Sequence, residues 1–399
     1  MTPGGVPEIF PPARQRSGLV VVLALLAASV LVVATGFLPW SAFTELTDRV
    51  VPVLGFVMAI TVVTELAAAA GVFSSLVERM AGWGLTRRWI LWLFVLALAT
   101  VSTIFLSLDT TAVLVTPVVV LLAIHVGVPP MPFALATIWL ANTASLLLPV
   151  SNLTNLLAES RMNAGGPAGF AALVWAPALV GILVPVIALT VLYRRSLRGR
   201  YIVPPRTPVA DVPLLATSAV VVVLLLPLLV SGLPVWIPAT GAALVLLAVF
   251  AIRRRGSISL WLVPWRPVAI AFGLFVLVDA AQVHGLESLV GSVAGQGDDL
   301  LSLLQLSALG TVAANGINNL PAYLVLEPVG TSPVRLAALL IGVNLGPLIT
   351  PWASLATLLW YQKVAALGVK VSWLRFALAG FVVVLLTVPL ATLALWLIN

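Results

Sequence analysis

The chain has 399 residues, 61% of them hydrophobic and only 8% charged, with a formal net charge of +7 and no cysteine. A soluble domain carries about 25% charged residues, so this composition excludes a water-soluble globular protein. The lack of cysteine excludes disulfides, thiolate metal sites and thiol redox chemistry. The basic balance does not indicate nucleic acid, because Lys and Arg fall in short segments between apolar runs of roughly 20 residues, each long enough to span a bilayer.

Residues 1–17 read as a Pro-rich cytoplasmic tail. The first span is 18–38; no small-residue cleavage site follows it, so it is not a signal peptide. A short loop with Glu45, Asp48 and Arg49 leads to a second span at 50–75, with Glu65 inside it. The next loop holds Arg79, Arg87 and Arg88. Residues 89–126 are apolar but interrupted by Ser107-Leu108-Asp109-Thr110-Thr111. A charge and hydroxyls between two apolar arms suggest a re-entrant hairpin whose tip is buried in protein; the alternative is two ordinary spans with an external loop. A helix broken midway is expected at 133–158. A Gly-rich turn, a span at 170–193 and a basic loop with Arg194, Arg195, Arg198, Arg200 and Arg206 follow.

The second part opens with a linking span at 212–230. Further spans are expected at 235–252 and 268–282, the latter carrying Asp279. Residues 285–299 are too polar and Gly-rich to span and are placed in the interface. Residues 300–329 repeat the hairpin pattern, with the tip at Asn315-Gly316-Ile317-Asn318-Asn319-Leu320-Pro321. A second broken helix covers 335–361, and the last span ends at 398.

The broken helices carry the strongest signal. Residues 142–157 and 344–359 align without a gap: Asn142 falls on Asn344, Pro149 on Pro351, Asn152 on Ser354 and Asn155 on Thr357. Interrupted apolar segments at corresponding places in two halves mark the substrate site of a secondary transporter. With the N-terminus and the basic loops inside, all of the 20 Lys and Arg lie inside except Arg49, Arg161 and Arg335. That count holds only if each hairpin enters and leaves on one side. The two hairpins then open to opposite sides, and the halves are inverted repeats. The reading is an all-α polytopic membrane protein: a tail (1–17), a first repeat (18–193), a basic loop and linking span (194–231), and an inverted second repeat (232–399).

The tips and breaks offer Asp109, Thr110, Thr111, Asn142, Ser145, Ser151, Asn152, Thr154 and Asn155 from the first half. The second half offers Asn315, Asn318, Asn319, Asn344, Thr350, Ser354 and Thr357. Such groups suit a small polyhydroxylated or anionic solute, or Na⁺ held by carbonyls; singly, they would only bond between helices. Glu65, Asp109 and Asp279 are the carboxylates placed within the hydrocarbon region, and acids there usually mark ion or proton paths. Asp109, at a tip, is the strongest of the three. His125 and His284 are read as bystanders, and Trp352, after Pro351, as a wall of the site. There is no P-loop, no metal-ligand cluster and no enzyme motif, so no cofactor is expected.

The segment Asn142-Thr-Ala-Ser-Leu-Leu-Leu-Pro-Val-Ser-Asn-Leu-Thr-Asn resembles a characteristic stretch of arsenite permeases, the membrane component of arsenical pumps. So do Asn318-Asn319-Leu320-Pro321 and Asn344-Leu-Gly-Pro-Leu-Ile-Thr-Pro-Trp-Ala-Ser-Leu-Ala-Thr-Leu-Leu-Trp360, and Glu65 ahead of Ala70-Gly71 is similar to an acidic residue of the same family. The resemblance implies the ion transporter superfamily and a multi-pass protein of the cell membrane. It also implies export of arsenite and antimonite as neutral trihydroxides in exchange for protons, in some members with a cytosolic ATPase partner. Family members usually read Asn-Asp at the first hairpin tip, where this chain reads Leu108-Asp109. The superfamily also contains Na⁺/H⁺ antiporters, silicic acid exporters and dicarboxylate carriers. A dicarboxylate fits less well, since no Arg or Lys lies at the expected site.

Overall fold

The computed structural model describes residues 12–203, 205 and 207–399; the expected tail at 1–11 and Arg206 lie outside the described residues. Among the described residues the chain is helical, with no strand. The first half contains α1 (Pro12–Ala34), α2 (Trp40–Ala69), α3 (Val72–Trp83) and α4 (Arg88–Leu106). A short α5 (Leu108–Thr110) then continues through a π turn (Thr111–Val115) into α6 (Thr116–His125). After these come α7 (Pro130–Thr143), α8 (Leu153–Met162) and α9 (Pro167–Tyr193). A linking helix, α10 (Val212–Leu228), leads to α11 (Trp236–Arg253), α12 (Trp265–Val283), α13 (Leu286–Gly291), α14 (Leu300–Ile317) and α15 (Asn319–Leu326). The chain closes with α16 (Pro333–Leu345), α17 (Leu355–Ala366) and α18 (Trp373–Ile398). Eight of the described helical stretches, counting Leu108–His125 as one, are long and apolar enough to cross a membrane.

Cross-contacts sort the loops onto two faces. On face one, the Arg254 guanidinium donates to the Ala69 carbonyl at 3.0 Å, Trp92 Nε1 to Thr190 Oγ1 at 3.0 Å, and the Tyr201 amide to the Thr86 carbonyl at 2.8 Å. Arg253 also pairs with Asp211 there at 2.9 Å. This hydrogen bond, with one from the Leu214 amide, holds the Asp211 carboxyl below the usual carboxylate range. On face two, Phe37 stacks on His284 with ring centroids 3.7 Å apart, and Arg335 donates to the Gly297 carbonyl at 2.7 Å. The α4–α6 hairpin has its open end on face one and the α14–α15 hairpin on face two. Arg49, Arg161 and Arg335, the three basic residues expected apart from the rest, are on face two.

Both hairpins turn on a residue forced out of ordinary backbone space. Ser107 has φ 105° and ψ 158°, and Asn318 has φ 89° and ψ 152°. This region is nearly reserved for glycine. Each side chain compensates by capping the helix that follows: Ser107 Oγ accepts from the Thr110 amide, and Asn318 Oδ1 from the Leu320 amide.

At the centre stand α7 and α16. Every residue from Pro132 to Thr143, and from Arg335 to Leu345, is buried. A helix apolar on all sides must be enclosed on all sides. Around them pack α4, α9, α14 and α18, whose outer faces expose Leu, Val and Trp as a lipid-facing surface would. A second body is built from α2, α10, α11 and α12, with α1 packed on α12. It meets the first mainly where α2 touches α8 and α12 touches α15.

Three boundaries differ from expectation. Helix α1 already begins at Pro12, so residues 12–17 are helical and not tail. Helix α2 begins at Trp40, which puts Glu45, Asp48 and Arg49 in helix and not in a loop: Pro39 occupies the N-cap, and no helix breaker intervenes before Pro52. The expected span at 50–75 ends at Ala69, where Gly71 takes the left-handed conformation, and Arg79 then lies in the amphipathic α3. Gly285 is left-handed in the same way after α12.

Candidate functional site

Each broken helix is interrupted by proline chemistry. After α7 the chain passes through a 3₁₀ turn at Ala144–Leu146 and another opened by Pro149, which cannot donate to a continuing helix. After α16 the break runs through Pro351 to Ser354. Helix α8 starts at N-cap Asn152 and α17 at N-cap Ser354, the two residues that align in sequence, and both have extended backbone. Each break is backed by a glycine of the last helix in its half. A Cβ on Gly380 of α18 would stand 1.9 Å from the Leu348 carbonyl oxygen, and one on Gly181 of α9 would stand 2.9 Å from that of Thr143.

The second hairpin tip is sewn to its break. Asn315 Nδ2 donates to the Thr311 and Gly346 carbonyls, both at 2.9 Å, and Asn315 Oδ1 accepts from the Thr350 amide at 3.0 Å. The Asn315 carbonyl accepts from Thr350 Oγ1 and from Trp352 Nε1, each at 2.8 Å. Asn318 Nδ2 donates to the Trp352 carbonyl, and the Asn319 amide to the Ala353 carbonyl, both at 2.9 Å. Trp352 is half exposed beside this tip. Asn319 Oδ1 turns back to the Leu320 amide.

The first tip is different. Thr103 Oγ1 donates to Thr111 Oγ1 at 2.9 Å, and Thr110 Oγ1 to the Leu106 carbonyl at 2.9 Å, all within the hairpin. Asp109 has no hydrogen bond or ion pair with any described residue, and it is exposed between buried Leu108 and buried Thr110.

The two halves meet at Asn344. Its Oδ1 accepts from Asn152 Nδ2 at 3.0 Å and from Thr154 Oγ1 at 2.9 Å, and its Nδ2 donates to Asn155 Oδ1 at 2.6 Å. Asn155 Nδ2 returns to the Ser145 and Leu148 carbonyls, and Ser151 Oγ caps the same two carbonyls. Ser145 Oγ donates to the Asn142 carbonyl. These amides are therefore engaged with one another and hold the breaks in register. In contrast, Asn142 Oδ1, Thr143 Oγ1, Trp139 Nε1, Ser102 Oγ, Ser354 Oγ and Thr357 Oγ1 are buried without a partner. Buried polar atoms are nearly always hydrogen-bonded, so orphans gathered on α4, α7 and α17 mark unused bonding capacity around the breaks.

The three acids are not brought together. Glu65 is half-buried one turn from the face-one end of α2, and Asp279 one turn from the face-two end of α12. His125 is exposed at the end of α6, and His284 Nδ1 contacts the Ala280 carbonyl under Phe37. Sequence reasoning passed over a fourth acid, Glu327, which is buried just after α15. It accepts from Arg49 on both carboxylate oxygens and from Tyr323 Oη at 2.8 Å, with Arg161 3.7 Å away. The signal was present: Arg49 and Arg161 are two of the three basic residues outside the main charge pattern.

Comparisons with known proteins place this architecture. The chain is 27% identical over 366 residues to the arsenical pump membrane protein of Escherichia coli, covering 85% of each chain. It is 25% identical over 341 residues to the 46 kDa membrane protein of Mycobacterium leprae, covering 77% of each. The crystal structure of the Alcanivorax borkumensis YdaH transporter has the same fold, with a TM-score of 0.54 over 95% of this chain and 97% of that one, at 14% identity. The sequence profile of the citrate transporter (CitMHS) family matches residues 16–331. A multi-pass helical chain matched over most of its length by that profile, this protein is a membrane transporter belonging to the citrate transporter (CitMHS) family.

Proposed function

We propose that the chain exports arsenite and antimonite as neutral trihydroxides in exchange for protons, with face one toward the cytoplasm and the two bodies moving to expose the site alternately. The carrying observation is Asp109, an accessible carboxylate with no partner among the described residues, at the tip of the hairpin that is not sewn to its helix break. A proton carrier needs an acid that a neighbouring cation does not hold charged. The orphaned Asn142, Ser354 and Thr357 oxygens supply acceptors and donors for a solute that both gives and takes hydrogen bonds. No Lys or Arg occurs in residues 102–116, 139–158, 311–323 or 344–358, which favours a neutral solute over a multiply charged one.

The energetics are sufficient. One proton exchanged for one neutral solute carries a charge inward. A 100 mV potential supplies about 2.3 kcal/mol and one pH unit about 1.4 kcal/mol, together sustaining roughly a 500-fold solute gradient.

A second reading is a small anion held by backbone, since α5, α8, α15 and α17 all begin at the tips and breaks, and helix N-termini attract negative charge. Everted vesicles under an imposed pH gradient separate the two. Arsenite or antimonite accumulation abolished by a protonophore supports the exporter. Citrate uptake without metalloid movement supports the anion reading. Na⁺-driven proton flux without either would replace both with a Na⁺/H⁺ antiporter.

A further inference from the structure

The cluster around Glu327 lies away from the hairpin tips, on the seam between the two bodies. Arg49 belongs to α2. Its Nη1 and Nη2 clamp the Glu327 carboxylate, its Nε donates to Ser160 Oγ at 3.1 Å, and Nη2 also reaches the Leu157 carbonyl at 3.2 Å. One side chain thus ties α2 to both α8 and the end of the second hairpin. Beneath it is a cavity of about 40 Å³, walled by Val50, Val278, Asp279 and Leu324 among others. It has room for about two or three waters.

The charges divide by body in a telling way. Arg49 and Asp279 belong to α2 and α12, which pack together; Glu327 and Arg161 belong to the α15 and α8 side. Asp279 is near enough to feel the Arg49 charge across the cavity, yet no hydrogen bond joins them. Each body therefore holds a cation and an anion of this cluster, with Glu45 of α2 a further anion near Asp279, and the bond that now exists crosses from one body to the other. Separating a buried pair usually strands an uncompensated charge at high cost. Here neither charge would be stranded: were the bodies to part, Arg49 would have Asp279 on its own body, while Glu327 would keep Arg161 and Tyr323.

From this we infer that Arg49 and Glu327 form the face-two gate of the transporter, an ion pair that exchanges partners when the gate opens. The inference rests on the alternating-access reading above and goes beyond it in naming the gate. Neither residue is assigned contact with the solute; both act through the position of the bodies.

The chain has no cysteine, so a single introduced thiol reports alone. Val50, buried in the cavity wall, is replaced in Val50→Cys, and its modification by a membrane-impermeant maleimide is timed in detergent and in vesicles. Adding Glu327→Gln is expected to speed labelling at least ten-fold; an unchanged rate overturns the gate. Arg49→Gln serves the same purpose if Glu327→Gln does not elute as a folded species.

The exchange Arg49→Glu with Glu327→Arg is the sharper arm. It rebuilds the bond between bodies but puts like charges within each body. Labelling should fall back to within two-fold of Val50→Cys alone while solute exchange is lost, because the open state now repels itself. Recovery of full exchange would make the pair a plain structural tie and overturn the proposal. The labelling arms need no solute, so they judge the gate even if metalloid transport is absent and the functional reading fails.

Discussion

Asn152 Nδ2 lies 3.0 Å from Asn344 Oδ1, although 192 residues separate them in the chain. Thr154 and Asn155 close on the same carboxamide, so one side chain joins the two broken helices. Interhelical hydrogen bonds inside a membrane average about 0.6 kcal/mol each. Asn344→Ala removes three and orphans their partners, for an expected loss of about 2 kcal/mol. Thermal unfolding in detergent should register this as a lower midpoint. Asn344→Asp should cost more, since it removes the donor to Asn155 and buries a charge.

Asp109→Asn should separate function from fold. The carboxylate has no partner among the described residues to lose, so stability should stay within about 0.5 kcal/mol of the parent. Proton-driven accumulation should fall at least ten-fold, and protonophore should no longer change the remaining flux. Intact proton-driven accumulation in this variant would remove Asp109 from the coupling scheme.

Backbone strain at the hairpin tips predicts a gain. Ser107 at φ 105° carries about 1–3 kcal/mol of strain that glycine does not, against the loss of one cap to the Thr110 amide. Ser107→Gly should therefore be neutral to about 1 kcal/mol stabilising, and Ser107→Ala destabilising by about 1 kcal/mol. Asn318→Gly should gain less, because it also forfeits the bond to the Trp352 carbonyl. Urea or thermal melts of the three variants would rank them.

On face one, the Asp211 carboxyl is held low by Arg253. A depressed acid stabilises the fold above its unfolded pKa of about 4 and loses that contribution as pH falls through the lower folded value. The α10–α11 connection should accordingly loosen only in strong acid. Asp211→Asn should abolish this step without altering stability trends between pH 5 and 8, as hydrogen exchange of α10 amides would reveal.

How much was legible in the sequence depended on distance along the chain. The spans and both helix breaks were readable because apolar length and proline act locally, and the gapless alignment put Asn152 and Ser354 at equivalent N-caps. The start of α2 was not. Glu45, Asp48 and Arg49 look like loop residues until Pro39 is seen to cap a continuous helix. Nor was the fate of the amides: Asn152, Asn155 and Asn344 satisfy one another, while Asn315 spends its groups on Gly346 and Thr350. The pairing of Arg49 with Glu327, 278 residues apart, arises from how the bodies dock and has no local signature.

Helix α17 packs on α7 and on the outgoing arm of the first hairpin, and Trp360 Nε1 donates to the Ala134 carbonyl across 226 residues. At about 5–20 residues per second of synthesis, the first hairpin waits roughly 10–45 s on the ribosome before its cover exists. During that interval the side of the π turn and of α6 that α17 covers has no cover from the chain's own second half. The first half is thus expected to depend on its own C-terminal part for cover. Fragments ending before Leu355 should be degraded when made alone and rescued when the missing half is supplied in the same membrane.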